Sequence, residues 1–272
     1  MRLPASPKLF GTPCWVFPIL AGLAWLVTLL AILIEWIVKG SPHYPEMWPS
    51  QHLSYISNAG ASDWGHPLFI SGATITAIFF SITFISERWL RHKGKLLHSA
   101  TKWSSVCWVA AAVLTATATC ALVLFTIFCV RRHAVVHYTL VATFALGYIL
   151  AAALLCAERK HLCNTFPTRR ILHWSLRIKL FFIAVELLFV ILGSVTMYQR
   201  MYRTSVVVEW LAALFFSFYM ASFAVDFFAV PAVDDEKENA WDLMMRSWDE
   251  DVGITRPQWV YGALEKRYSL LE

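Results

Sequence analysis

The chain has 272 residues, of which 58% are hydrophobic and only 15% are charged, and it carries a formal net charge of +5. Soluble domains average about 45–50% apolar and about 25% charged residues, so the composition excludes an ordinary soluble enzyme or binding domain. No nucleic-acid-binding motif accompanies the positive charge, and no nucleotide-binding or hydrolase fingerprint occurs. We therefore expect an integral membrane protein that has no nucleic-acid partner.

Six apolar segments are long enough to cross a membrane as helices. A helix needs about 20 residues to span a hydrocarbon core about 30 Å thick. Four segments of that length contain no charged residue, and two more are each interrupted by a single glutamate. The six predicted spans are residues 14–34, 67–86, 103–130, 133–157, 180–199 and 204–225. The sequence thus predicts an all-α fold, a polytopic bundle of six transmembrane helices.

The distribution of lysine and arginine predicts the orientation of this bundle. Most basic residues lie before the first span, after the second, after the fourth and after the last. By the positive-inside rule, both termini are then cytosolic. We divide the chain into a cytosolic N-terminus (1–13), a membrane domain (14–230) and an acidic tail (231–272). The composition of the tail favours disorder, and we hypothesise that it folds back on the basic loops.

Basic residues alternate with large apolar residues in the two predicted cytosolic loops. Each lysine or arginine close to an anionic leaflet contributes about 1 kcal/mol of attraction. The simplest interpretation is that these charges only fix the orientation, and the alternative is that they bind anionic lipid headgroups specifically. The candidate headgroup or partner residues are Arg88, Arg91, Lys93, Lys95, Arg169 and Arg170.

The predicted outer loop, residues 39–66, carries a polar motif close to the start of the second span. Its prolines and glycine favour turns and short extended pieces rather than a helix. We expect this loop to form a small folded cap over the bundle. The motif residues are Tyr55, Ile56, Ser57, Asn58 and Gly60.

Ionisable groups inside membrane spans are costly and suggest a function. Glu186 is the clearest case. Either it is protonated and hydrogen-bonded to a Ser, Thr or Tyr of a neighbouring span, or it serves a headgroup-binding or proton-linked role. We expect Glu209 to pair with Arg200 or Arg203, and Asp226 to reach the interface near its helix end.

Two histidines, His133 and His137, are four residues apart at the predicted outer end of span four. Residues at this spacing share one face of a regular helix, as a metal-binding pair does. A zinc site needs further ligands, and the HAVVH pattern lacks the glutamate of a metalloprotease motif. We therefore interpret these histidines as solvated or hydrogen-bonded groups, and we predict neither a metal nor a cofactor.

Three motifs carry a family resemblance that covers about residues 10–230. The first combines YISNAGA at 55–61 with PLF at 67–69 and ERWLRH at 87–92, the second is Glu209-Trp210 followed by FFSF, and the third is His137 ahead of Thr143-Phe144. Together they resemble the membrane family of the FGF-receptor-activating proteins, the damage-regulated autophagy modulators and the yeast suppressor-of-four-kinase protein.

This resemblance implies six spans, cytosolic termini and no catalytic residues. The family usually has aspartate where this chain has Asn58, which cannot titrate, so we expect an Asx-type turn before Gly60 rather than an acid–base site. Yeast-type members are plasma-membrane proteins that support phosphoinositide 4-kinase recruitment and lipid asymmetry. The autophagy modulators are lysosomal, and more distant relatives remodel GPI lipids in the secretory pathway.

We therefore predict a non-enzymatic membrane regulator of phosphoinositide signalling or lipid organisation at the plasma membrane. Its basic cytosolic face would bind anionic headgroups or a lipid-kinase complex. One alternative is a GPI or ceramide remodelling factor that uses Asn58, Asp63 and His137. Others are an autophagy-linked protein of the vacuole or lysosome, a Golgi or ER protein, and a small-solute or proton-coupled transporter that uses Glu186.

Overall fold

The structure is a computed structural model that describes residues 7–9, 11–49, 51–97 and 101–230. The predicted acidic tail and its contact with the basic loops lie outside the described residues. A two-stranded antiparallel hairpin, β1 (Lys8–Leu9) and β2 (Thr12–Pro13), precedes the first long helix.

The predicted all-α bundle of six membrane-spanning helices is confirmed: six helices of the described chain are long and apolar enough to cross a membrane. Several continue past the apolar spans into charged residues, because a helix need not end where the hydrocarbon does. A 3-10 helix, Phe223–Phe228, follows the last long helix. The long helices are α1 (Val16–Val38), α3 (Gly65–His92), α4 (Lys102–Ile127), α5 (Val130–Thr165), α6 (Arg170–Tyr198) and α7 (Tyr202–Ser222).

The helices alternate in direction, so the bundle has two distinct ends. The basic end is where α1, α4 and α6 begin and where α3, α5 and α7 finish. The cap end is the opposite one, and it carries the loop between α1 and α3. The placement of the basic end in the cytosol remains a prediction from charge.

Helix α1 packs between α3 and α7, helices α4 and α5 form a hairpin, and α6 packs along α7 and α5. Helix α6 is the least buried of the six. Aromatic rings fill the centre of the bundle, where Phe80 of α3 contacts Tyr148 of α5 and Phe223 of the 3-10 helix at centroid distances of 5.8 and 5.4 Å. The core therefore joins α3, α5 and the end of α7, and α6 lies at the periphery.

Helices α1 and α7 approach each other closely at Gly22. A Cβ atom at this position would lie 2.5 Å from the carbonyl oxygen of Ser217. We expect Gly22→Ala to lower the free energy of unfolding by about 1–3 kcal/mol, because a backbone atom must move to make room. Thermal unfolding of the purified protein, followed by tryptophan fluorescence, measures this change.

Gly193 of α6 provides the matched control, since a Cβ there would meet its nearest neighbour, Val208 Cγ1, at 3.6 Å. Removing the flexibility of a helical glycine stabilises by roughly 0.5–1 kcal/mol when the site has room. We expect Gly193→Ala to leave the midpoint temperature of thermal unfolding unchanged or to raise it. Equal destabilisation by both substitutions would contradict the predicted close contact.

The cap differs from the expectation of turns and extended pieces. Residues Ile56–Ala59 form one helical turn, α2. The turn is closed by the backbone N–H groups of Asn58 and Ala59, which both donate to the carbonyl oxygen of Tyr55 at 3.1 and 3.0 Å. Gly60 follows directly, and a Cβ there would lie 2.5 Å from a ring carbon of Phe69. The glycine is thus needed for close packing of the cap on α3.

Candidate functional site

A buried cluster of charged side chains lies at the basic end. Arg159 of α5 is at its centre, and its Nη2 atom donates to Glu87 Oε1 of α3 at 2.7 Å and to Asp226 Oδ2 of the 3-10 helix at 2.7 Å. All three side chains are at most 8% exposed. One guanidinium group therefore links three different elements of the bundle.

Three further residues complete this basic-end cluster. Arg91 Nη2 donates to Glu87 Oε1 at 2.9 Å, and Lys179 Nζ lies 2.7 Å from Asp226 Oδ2. The hydroxyl of Ser175 donates to the other oxygen of Asp226. Burying a charge is tolerated when it is paired and hydrogen-bonded, and each carboxylate here has at least two cationic partners.

The cluster corrects two sequence-based predictions. Arg91 was expected on the headgroup-binding face, but its side chain is only 4% exposed. Its Nη1 atom donates to the carbonyl oxygen of Leu97 at 2.7 Å, so it closes the loop after α3. Asp226 was expected to reach the interface, yet it is buried because Arg159 and Lys179 hold it inside.

Charge is separated between the inside and the outside of the basic end. The third carboxylate of this end, Glu158, is also buried and accepts a hydrogen bond from Ser104 Oγ at 3.0 Å. Inside, three buried carboxylates balance three buried cations; the carboxylates are Glu87, Glu158 and Asp226, and the cations are Arg91, Arg159 and Lys179. Within the described part of the chain, the outward-facing charged residues of this end are all basic. They are Lys8, Arg88, Lys93, Lys95, Lys102, Lys160, Arg169, Arg170 and Arg177.

Aromatic rings position some of these outer cations. The guanidinium of Arg88 lies 4.4 Å from the ring centroid of Trp108, and the ammonium of Lys95 lies 5.7 Å from that of Trp89. Cation–π contacts at exposed sites contribute about 0.5–1 kcal/mol each. Arg88 and Lys95 therefore lie beside indole rings, which favour the membrane–water interface.

At the cap end, the two strongest sequence motifs meet. Trp210 Nε1 donates to the carbonyl oxygen of Ser54 at 2.9 Å, and the N–H of Ile56 donates to Glu209 Oε2 at 3.4 Å. Glu209 thus contacts the cap backbone instead of pairing with Arg200 or Arg203, both of which are exposed. The Glu-Trp motif of α7 fixes the cap to the bundle.

The remaining residues of the cap motif are divided between the bundle and a cavity. Asn58 is buried within the α2 turn, whereas Tyr55 and Ser57 line the cavity. The Tyr55 hydroxyl donates to Met197 Sδ at 3.4 Å. Burial raises the pKa of the Tyr55 phenol, so this group remains protonated and continues to donate.

The cavity has a volume of about 610 Å³ and lies between α5, α6, α7 and the cap. Glu186 and Glu209 both line it. The Oε1 atom of Glu186 is buried and has no hydrogen-bond partner among the described residues. The predicted hydrogen bond from a neighbouring span is therefore not made by this oxygen, which faces the cavity.

The two histidines do not form a pair. His133 has non-helical backbone angles, φ −137° and ψ 51°, which kink α5 and remove the regular spacing on which a shared face depends. His133 is exposed, whereas His137 is buried and its Nδ1 atom lies 2.8 Å from the carbonyl oxygen of Phe125. The described residues contain no group of three or more His, Cys, Asp or Glu side chains able to hold a metal ion.

Comparison with known proteins agrees with the three motifs. The model of the Frag1/DRAM/Sfk1/Cwh43P N-terminal domain matches residues 13–230. Protein sfk1 of Schizosaccharomyces pombe is 26% identical to the chain over 221 residues, which are 81% of this chain and 65% of that protein. The chain thus spans slightly less than two thirds of the length of this curated relative. No solved structure matches the chain.

Proposed function

Because the chain belongs to the Frag1/DRAM/Sfk1/Cwh43P N-terminal domain family, we propose that it is a non-enzymatic membrane regulator that binds anionic lipid headgroups at its basic end. Through this binding it organises membrane lipids or supports phosphoinositide signalling. Its partners are anionic lipids and a lipid-kinase complex on the cytosolic side. The yeast-type resemblance of the sequence and the similarity to sfk1 support the plasma membrane as its location.

The separation of charge at the basic end carries this proposal. Carboxylates on the outer surface would repel phosphate groups and cancel the attraction of nearby cations. Here Glu87, Glu158 and Asp226 are all buried and bonded. The described outer charges of this end are therefore uniformly positive.

The enzymatic alternative is less well supported by the geometry. A lipid-remodelling site would need Asn58, Asp63 and His137 around one headgroup. Asn58 is buried in the α2 turn, Asp63 is exposed, and the His137 ring is directed at backbone carbonyls. A binding function at the basic end agrees better with these positions.

Charge reversal tests the proposed function. We expect the triple variant Lys93→Glu, Lys95→Glu, Arg170→Glu to bind soluble short-chain phosphatidylinositol 4-phosphate about 100-fold more weakly, because each basic residue near an anionic surface contributes about 1 kcal/mol. All three side chains are exposed, so their replacement should leave the fold intact. Isothermal titration of the purified protein at an ionic strength of about 0.1 M measures the affinity.

The control places the same three reversals at the cap end, as Arg132→Glu, Arg200→Glu and Arg203→Glu, where the side chains are also exposed. We expect this variant to bind within about twofold of the wild type, because charges separated by more than a Debye length of roughly 10 Å are screened. Equal losses in both variants would mean that net charge, and not the basic end, attracts the lipid.

A further inference from the structure

We propose that the cavity between α5, α6 and α7 binds a linear amphiphile whose headgroup is a primary ammonium group, with the Glu186 carboxylate as its counter-charge. This cavity opens at the cap half of the bundle, away from the basic end. The proposal is therefore independent of headgroup binding there, and either one can fail without the other.

The shape of the cavity suits one hydrocarbon chain. Its volume of about 610 Å³ is within the roughly 300–1,000 Å³ that is typical of ligand pockets. The lining residues of α6 run from Ile183 to Met197, which at 1.5 Å per residue is about 21 Å of helix. The cavity is thus long and narrow, and most of its lining side chains are aliphatic or aromatic.

The wall of the cavity is open to the surroundings of the bundle. Tyr138 and Leu146 of α5 line the cavity and are 52% and 57% exposed, and Met197 of α6 is 40% exposed. These residues lie on membrane-spanning helices, so a ligand enters from the bilayer. This route favours an amphiphile over a water-soluble amine.

The charges of the cavity are unbalanced. Two glutamates line it, and no lysine or arginine does so in the described part of the chain. Glu209 already accepts a hydrogen bond from the cap, whereas Glu186 Oε1 has no partner among those residues. An ionised carboxylate that is buried without a cation is strongly disfavoured, so the ionised form of Glu186 needs a cationic partner, which a ligand ammonium group can supply.

Glu186 lies near the end of the cavity farthest from the cap, one helical turn from Ile183. The eleven residues from Glu186 to Met197 leave about 16 Å of length towards the cap. An ammonium group bound at Glu186 therefore leaves the longer part of the cavity, between Glu186 and the cap, for its chain. Aromatic rings on this path, such as Phe189 and Phe216, provide its packing surface.

Photolabelling tests the proposal. We would reconstitute the full chain in zwitterionic nanodiscs and add a photoreactive dodecylamine, or its alcohol or carboxylic acid counterpart with the same chain. We expect the amine to label residues of α5, α6 and α7 that line the cavity, with at least tenfold preference over both counterparts. Glu186→Gln should reduce this preference at least tenfold, because the ammonium group then meets a neutral amide in place of a carboxylate.

Two controls make the outcome decisive. The first control is the stability of Glu186→Gln, which keeps the side-chain shape and removes a buried acid, so its midpoint of thermal unfolding should equal or exceed that of the wild type. The second is Gly193→Leu, which should block labelling by filling the cavity. The proposal would be overturned by any one of three results. These are labelling by the alcohol equal to that by the amine, amine labelling that persists in Gly193→Leu, and a preference for the amine that depends on Glu209 and not on Glu186.

Discussion

Replacement of Arg159 by glutamine is expected to lower the free energy of unfolding by about 3–5 kcal/mol, because breaking a buried ion pair leaves an uncompensated charge inside the protein. The guanidinium of Arg159 contacts both Glu87 and Asp226 at 2.7 Å. Glutamine retains one amide donor group but has no charge. Glu87 then has Arg91 as its cationic partner and Asp226 has Lys179.

The effect should extend beyond the substituted helix. Arg159 joins α5 to α3 through Glu87 and to the 3-10 helix through Asp226. Hydrogen exchange should therefore increase in all three elements at the basic end. The cap end, which is held by Trp210 and Ser54, should keep its protection.

Lys160 is the matched control, since it is the next residue of the same helix and is exposed. Lys160→Gln removes the same charge, and surface substitutions usually change stability by no more than about 0.5 kcal/mol. Equilibrium unfolding of the detergent-solubilised protein compares the two. If both variants unfold at the same midpoint as the wild type, the cluster does not stabilise the bundle.

The six membrane spans could be predicted because their information is local. A run of about 20 apolar residues is sufficient to identify a span, whichever helices surround it. The single glutamates at 186 and 209 did not obscure this pattern. The helix α2 was missed because the prolines and Gly60 in its loop favour turns, whereas Ile56–Ala59 is stabilised by packing of Ile56 and Ala59 into the core.

The sequence positions of the basic residues do not show which of them lie inside the bundle and which lie on its outer surface. Arg88 and Arg91 occur in the same basic run, yet only Arg91 turns into the bundle. A signal was present, since Glu87 precedes Arg91 by four residues, which is the favourable order for an ion pair on a helix. Spans two and four also both end in Glu-Arg, but the pairing of Glu87 with Arg159 requires the helices to be neighbours.

The cavity was equally hidden from the sequence. Glu186 and Glu209 could be identified as intramembrane acids, but the sequence does not show that they line the same space. Small residues on facing helices, Gly193 of α6 and Ala212 and Ala213 of α7, leave that space open. Small residues in membrane helices more often indicate close packing, so they do not distinguish a cavity from a tight interface.

Replacement of Asp226 by asparagine is expected to destabilise the protein by about 3–5 kcal/mol, since Lys179 then loses its carboxylate partner while it remains buried. Lys179 is 1% exposed, and its Nζ atom lies 4.3 Å from the ring centroid of Phe223 and 3.4 Å from Ser175 Oγ. These contacts do not neutralise an ammonium group. The loss of stability arises from the buried Lys179 ammonium group, which remains charged without a carboxylate partner.

The double variant Asp226→Asn, Lys179→Met distinguishes this cause from a simple loss of hydrogen bonds. It removes one charge of each sign, so the remaining Glu87, Glu158, Arg91 and Arg159 still balance. We expect it to recover roughly 1–3 kcal/mol relative to Asp226→Asn, which is the size of coupling found between contacting residues. Chemical denaturation of the wild type, both single variants and the double variant gives this coupling energy directly.

The control combines Asp226→Asn with Lys160→Met, which removes an exposed lysine from the same end. Its net charge equals that of the first double variant, but Lys179 keeps its unpaired charge, so no recovery is expected. If both double variants recover stability relative to Asp226→Asn, the effect is due to net charge at the basic end. Recovery only with Lys179→Met would show that the inner cations are held by the buried carboxylates, so that lipid binding at this end falls to the outer basic residues.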